Sequence, residues 1–221
     1  MSNWFKTRLF QFLILGLSIF RPNILFERIN QLSWYKNALR QWAEDQNLFI
    51  GSRVLEVGCA TGTLSATMAH MGYQMTGVDF FHRMIEDAKS KYKGITFLEA
   101  DALDLPFKTG EFDAVIATSL INIIDNKEQC INELTRSCKT NGVVSILVPS
   151  DEFGDKDLRL LVESHQTSGF SEAAMKAWHN QAPKLKTSDI LFLFKNSGLK
   201  SLKIKKYLQG MVISVSGIKA L

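Results

Sequence analysis

The stretch Val54-Leu55-Glu56-Val57-Gly58-Cys59-Ala60-Thr61-Gly62 reads as a short buried strand that ends in an acid and breaks into a glycine-bearing turn. A helix then starts near Leu64. A strand-to-helix turn of this kind turns backbone N–H groups and a helix N-terminus toward a ligand. Gly58 and Gly62 have no Cβ and so leave room for close approach. The spacing is Glu-x-Gly-x-x-x-Gly, with Ala60 where a middle glycine would stand. A dinucleotide cradle reads G-x-G-x-x-G, so the fit to a pyrophosphate is poor. The plain alternative is a tight βα turn in any doubly wound protein.

Working outward, Tyr73 to Asp79 reads as a second strand ending in a carboxylate. Rossmann-like folds place an acid on ribose hydroxyls about 20 residues past the glycines, and a carboxylate can accept both hydrogen bonds of a vicinal diol. Phe80 and Phe81 follow and offer an apolar face to an adenine ring. Ile95 to Asp101 forms a third strand, Phe112 to Ala117 a fourth and Val143 to Pro149 a fifth. These are near-continuous apolar runs, as expected of strands covered on both faces. One-sided helical patterns separate them, at His82 to Lys91 and Lys127 to Cys138.

This order predicts an α/β fold: a Rossmann-like, doubly wound, mostly parallel seven-stranded sheet with right-handed crossovers. Its last two strands, Ser201 to Tyr207 and Met211 to Lys219, form a C-terminal antiparallel hairpin through Gln209-Gly210. Thr187 to Asn196 reads as a helix capped by Thr187 or Ser188. Ligands in such sheets bind beyond the carboxyl ends of the strands. Glu56, Asp79, Asp101 and Thr118 all sit there.

The phrases VLEVGCATG, TGVDFFHRMIEDA, FLEADALDLPF, EFDAVIATSLINII and SCKTNGVVSILVP together resemble the class I S-adenosylmethionine (SAM)-dependent methyltransferases. The group resembled is type 11, which includes the ubiquinone and menaquinone C-methyltransferases. The resemblance is close over residues 50–150. It implies SAM as cofactor, with Gly58 and Gly62 lining its methionine part. Asp79 would hold the ribose, Phe80 would flank the adenine, and Asp101 would accept from the adenine amino group beside the Ala102 N–H. The backbone near Ala117 and Thr118 would face the amino-acid end. Three positions depart from the pattern. Ala60 replaces a glycine, Thr140-Asn141-Gly142 replaces Pro-Gly-Gly, and Asn122 stands where many relatives carry His.

Composition fits one domain of 221 residues, 46% hydrophobic, without repeats. Cys59, Cys130 and Cys138 are odd in number and lack metal or redox spacing, so no metal and a reducing, cytoplasmic setting are expected. The net charge of +4 is uneven, with acids in excess only in residues 51–150. That argues against a nucleic-acid groove across the site. Lys200, Lys203, Lys205 and Lys206 read first as a solvated strand edge.

Residues 1–23 form a separate apolar segment centred on Leu9 to Phe20. It is too short to span a bilayer, which needs about 20 apolar residues, and no small-residue cleavage site follows. Trp4, Lys6, Arg8 and Arg21 flank it, so peripheral membrane contact through residues 4–21 is expected, against packing over the domain. The methyltransferase domain is expected over 24–221. It opens with helices at 24–46 that either bring Trp34 and Tyr35 toward the site or simply pack on the sheet, and its lid and acceptor region is about 150–186. His165 and His179 are the lid histidines. Packing or surface roles are the simpler reading of both, and His179 is the candidate base. The expected function is transfer of the SAM methyl to a small hydrophobic acceptor. The alternatives are a SAM-binding regulatory protein without turnover and a Rossmann-type nucleotide-binding oxidoreductase.

Overall fold

The computed structural model describes residues 22–220. The apolar segment expected over 1–23 lies almost wholly outside them. Two helices open the described chain: α1 (Pro22–Asn30) and α2 (Ser33–Glu44). The alternating part follows as β1 (Arg53–Val57), α3 (Thr63–His70), β2 (Gln74–Asp79), α4 (His82–Lys91) and β3 (Thr96–Glu99). Then come β4 (Phe112–Thr118), α5 (Lys127–Ser137) and β5 (Cys138–Pro149). The lid region holds α6 (Asp155–Ser164) and α7 (Gly169–Gln181), and α8 (Thr187–Asn196) leads into β6 (Leu199–Tyr207) and β7 (Val212–Lys219).

The seven strands form one sheet in the order β3-β2-β1-β4-β5-β7-β6. The first five are mutually parallel, and β7 runs antiparallel to both β5 and β6. The switch point lies between β1 and β4, where the chain first runs outward to β3 and then returns.

Strand alternation sorts the core. Leu55 and Val57 face one side with Val115, Ile146 and Val215, under Ile131 and Leu134 of α5 and Phe194 of α8. Val54 faces the other with Ile116 and Leu147, under Leu64 and Met68 of α3 and Leu39 and Trp42 of α2. Trp42 is fully buried, and its Nε1 donates to Ser214 Oγ on β7 at 2.9 Å, so α2 is bound to the sheet by both packing and a polar contact. A third cluster joins Leu25 and Trp34 to Phe153, Leu158, Leu161 and Met175 of the lid. Tyr35 and Trp178 border the second and third clusters alike. Trp178 stacks on Trp34 at 6.0 Å and meets Tyr35 edge-on at 5.3 Å.

Three boundaries differ from the sequence reading. β5 starts at Cys138 and passes through Thr140-Asn141-Gly142, where a separate turn is expected. Asn141 does take the left-handed conformation, φ 62°, but within a strand whose register shifts there against β4, between Phe112 and Ala114. A Cβ on Gly142 would lie 2.7 Å from the Asp113 carbonyl, so β4 presses on the strand at that point. β3 stops at Glu99, which leaves Asp101 in the following turn. α8 begins at Thr187 after Lys186, and no side chain caps it. The lysines of β6 are exposed on an edge strand, as expected, and Lys205 and Lys206 pair with Asp45 at 2.6 Å and Glu152 at 2.8 Å.

Candidate active site

The turn after β1 is built from left-handed residues. Gly58 has φ 77°, Ala60 φ 46° and Gly62 φ 77°. Glycine adopts this conformation freely, whereas alanine is strained by about 1–2 kcal/mol. The Gly58 and Cys59 N–H groups both donate to the Val78 carbonyl of β2, at 2.8 and 2.9 Å. The missing Cβ of Gly62 does not open toward a ligand. Its place is filled by Phe97, whose Cζ would be 2.6 Å away, and by Ala88 at 3.1 Å. At Gly58 the space faces Leu120, whose Cδ1 would be 3.1 Å from a Cβ. The glycines thus serve the bend and its close packing.

Asp79 ends β2, and both its carboxylate oxygens meet this loop system. Oδ2 accepts from the Ala60 N–H at 2.8 Å and Oδ1 from the Phe81 N–H at 3.0 Å. A carboxylate has about four lone-pair sites, so each oxygen can still accept one hydroxyl. Burial raises the Asp79 carboxyl above its ordinary value, opposed by the N–H groups of Phe81, Ala60 and Phe80.

Glu56 lies behind the turn, 2% exposed, and accepts from Ser65 Oγ on α3 at 2.5 Å. Alternation along β1 directs it to the α3 side, where that hydroxyl interrupts an otherwise apolar face. Burial pushes its carboxyl up to about 8; the Ser65 hydrogen bonds oppose the rise and the Asp79 charge adds to it. The Tyr35 hydroxyl is pushed up to about 12, first by burial and then by the Glu56 charge, so α2 does approach the site. Burial also pushes the Cys59 thiol far up, which makes it a packing residue rather than a nucleophile.

Asp101 is exposed, and its Oδ1 accepts from the Leu103 N–H at 2.8 Å, which holds the turn after β3; Ala102 beside it is buried. Phe80 is 64% exposed and meets Phe81 edge-on at 5.7 Å, so its ring face is available. Thr118 is half-buried at the end of β4, and the next N–H, of Ser119, donates to the Leu147 carbonyl at 2.8 Å. The sequence-predicted group Glu56, Gly58, Ala60, Gly62, Asp79, Phe80, Asp101, Ala102 and Thr118 therefore gathers at the carboxyl ends of β1 to β4.

His179 is buried elsewhere. Its Nε2 lies 3.2 Å from Asp155 Oδ1 and 3.5 Å from Lys184 Nζ, and Phe153 meets its ring edge-on at 5.5 Å. These neighbours all belong to the lid. Ser65, Phe97 and Leu120 were not singled out from the sequence. Their roles depend on what lies across from them, and only Ser65, a hydroxyl in an apolar helix face, carries a local signal.

The donor set suits an adenosyl sulfonium: carboxylates at the end of β2 and in the turn after β3 for a diol, a base amino group and a positive charge, with an open aromatic face beside them. Among the described residues no cluster of metal-ligating side chains occurs and no helix is long and apolar enough to cross a membrane.

A family model described as a methyltransferase domain matches residues 55–146. The chain is similar to a phosphatidylethanolamine N-methyltransferase of Cereibacter sphaeroides, 34% identical over 103 residues, covering 44% of this chain and 50% of that protein. It is also similar to a demethylmenaquinone methyltransferase of Staphylococcus saprophyticus, 32% identical over 140 residues, 57% of this chain and 58% of that one. The chain thus spans about half the length of the curated relatives it matches. Among solved structures, a SAM-dependent methyltransferase of Thermotoga maritima shares the fold, with a TM-score of 0.66 at 20% identity over 88% of this chain and 94% of that one. Residues 55–146 thus match a methyltransferase domain, and over that part the chain is similar to methyltransferases.

Proposed function

We propose that this protein transfers the methyl group of SAM to a small, hydrophobic acceptor. The observation that carries the reading is the double engagement of Asp79, which ties the β1 turn to the β2 tip and keeps a carboxylate open toward a ribose. When bound, SAM supplies an electrophilic methyl on a sulfonium. The residues of this chain bind, orient and exclude water. Asp79 would hold the ribose hydroxyls, Asp101 and the Ala102 N–H the adenine edge, and Phe80 its face. The negative charges of Asp79 and Asp101 would favour the cation. Alignment with an acceptor in a water-poor site accounts for most of what catalysis needs here. Supporting an apolar acceptor, Phe80, Phe81 and Ile123 expose large side chains near the strand tips, and Tyr35 and Trp178 stand half-buried under the lid. The decisive experiment is transfer of labelled methyl from SAM into a lipid and metabolite extract, with the labelled product identified. Calorimetric binding of SAM in preference to NAD is expected, and the reverse preference refutes the reading.

The same proposal places the acceptor at a membrane surface, with the flanked apolar segment 9–20 as the interfacial element. Full-length protein should sediment with anionic phospholipid vesicles, and a form lacking residues 1–21 should stay in solution. Equal partitioning of the two removes the membrane element and leaves the methyl transfer standing.

A second reading is a SAM-binding regulator without turnover. It is favoured by one observation: residues 118–124, Thr-Ser-Leu-Ile-Asn-Ile-Ile, offer no side chain that titrates near neutrality at the tip of β4. SAM binding with no labelled product would support it. The methyltransferase-domain match over residues 55–146 speaks against the oxidoreductase alternative.

A further inference from the structure

The lid leaves the carboxyl end of β5 and returns beside it. Ser150 and Leu185 pair as neighbouring backbone segments. The Leu185 N–H donates to the Pro149 carbonyl at 3.2 Å, and the Asp151 N–H to the Leu185 carbonyl at 3.4 Å. Both ends of the lid are thus fixed at one place, and α6 and α7 hang from it as one excursion. A unit of this kind opens about its fixed ends at a lower free energy than the sheet that carries it. Among the described residues, its side-chain ties beyond that hinge go to two places. Gln209 Nε2 donates to Ser164 Oγ at 2.9 Å and Lys206 pairs with Glu152 at 2.8 Å, from the turn after β6 and the end of β6. Trp34 Nε1, at the start of α2, donates to Ser171 Oγ at 3.0 Å.

The joint between α1 and α2 holds the other side as well. Asn30, the last residue of α1, donates through Nδ2 to Thr63 Oγ1 at 3.0 Å, and Thr63 directly follows Gly62 of the turn after β1. Four residues on, Trp34 is 2% exposed and stacks on Trp178 of α7, so packing as well as a hydrogen bond fixes it to the lid. A cleft of about 230 Å³, lined by Asn30, Lys36, Arg40 and Thr63, lies at the joint and leaves it room to shift.

We propose that the α1–α2 joint is a crossbar that couples closure of the lid to occupation of the turn after β1. This rests on the methyltransferase reading above. A ligand seated against that turn restrains it, Thr63 then holds Asn30, and Trp34 holds the lid. A site linked in this way excludes water around the methyl group only when the donor is bound.

The test follows amide hydrogen exchange of α6 and α7 with and without saturating S-adenosylhomocysteine, in wild type, Asn30→Ala and Ser171→Ala. In wild type the ligand should slow lid exchange by about 5-fold or more, the scale of one hydrogen bond. Each variant should still bind it within about 3-fold of wild-type affinity, because the lid is closed before the ligand arrives, yet the slowing should fall below about 2-fold. Exchange in β1 and β4 is the internal check on folding. Should one variant unfold, seen as faster exchange there, the other decides alone. Slowing that is absent from the wild type, or that survives undiminished in a folded variant, overturns the proposal. Failure of the wild type to bind S-adenosylhomocysteine is a different result, which refutes the parent reading.

Discussion

The Ala60 N–H donates to Asp79 Oδ2 at 2.8 Å, so the residue that stands where a middle glycine would be is the one that fastens the β1 turn to the β2 carboxylate. Asp79→Ala removes the ribose acceptor and this fastening together. We expect SAM affinity to fall by about 10- to 100-fold, the scale of one or two charge-assisted hydrogen bonds. Asp79→Asn keeps one carbonyl acceptor and should lose less. Calorimetric titration of the three proteins measures both steps, and an unchanged affinity in Asp79→Ala would remove the basis of the site.

Ala60 itself is held at φ 46°. A glycine there relieves left-handed strain of about 1 kcal/mol and gives back part of it through a freer unfolded chain. Ala60→Gly should raise Tm by about 1–3 °C, given about 2–4 °C per kcal/mol at this chain length. A clear fall in a thermal scan contradicts strain at this position.

Gly62 tolerates no such change. Its φ is 77° and an added Cβ would sit 2.6 Å from the buried Phe97 ring. Strain and overpacking should add to about 2–5 kcal/mol in Gly62→Ala. In Gly62→Ala/Phe97→Leu the smaller side chain should return part of that loss, seen as coupling above about 0.5 kcal/mol in a double-mutant cycle. Purely additive losses would mean that the two residues do not contend for the same space.

Glu56 ties stability to pH. Its carboxyl sits near 8 in the folded protein against 4.5 for the free group. Between those values the folded state holds a proton that the unfolded chain has released, so this contribution is full below pH 4.5 and is lost as pH rises to about 8. Glu56→Gln, which can still accept from Ser65, should flatten the decline of Tm across that window and be the more stable form above it. Parallel Tm-pH curves for wild type and variant would show that Glu56 is already ionised.

Much of this fold is legible along the chain because the apolar runs at Val54, Met75, Val115 and Ile146 are short, separated by one-sided helices and closed by turn residues. Parallel strands covered on both faces leave that pattern wherever they occur. Asp79 and Asp101 were readable for a related reason: each closes an apolar run, and the structure puts Asp79 at the end of β2 and Asp101 in the turn just after β3. The passage of β5 through Asn141 was not readable, since a three-residue turn motif and a strand interruption look alike until β4 lies beside them.

The sequence by itself determined the order of elements, the acids that close the apolar runs and the glycine-bearing bend after the first of them. All of these follow from local steric rules and from the period of the apolar residues. Only the tertiary structure decided that Phe97 fills the space of the Gly62 side chain, that Ser65 meets Glu56, that His179 is enclosed by the lid, and that Asn122 is buried. Each of those depends on which side chain arrives from a distant segment. That is set by packing across the sheet, where residues far apart in the chain compete for the same volume.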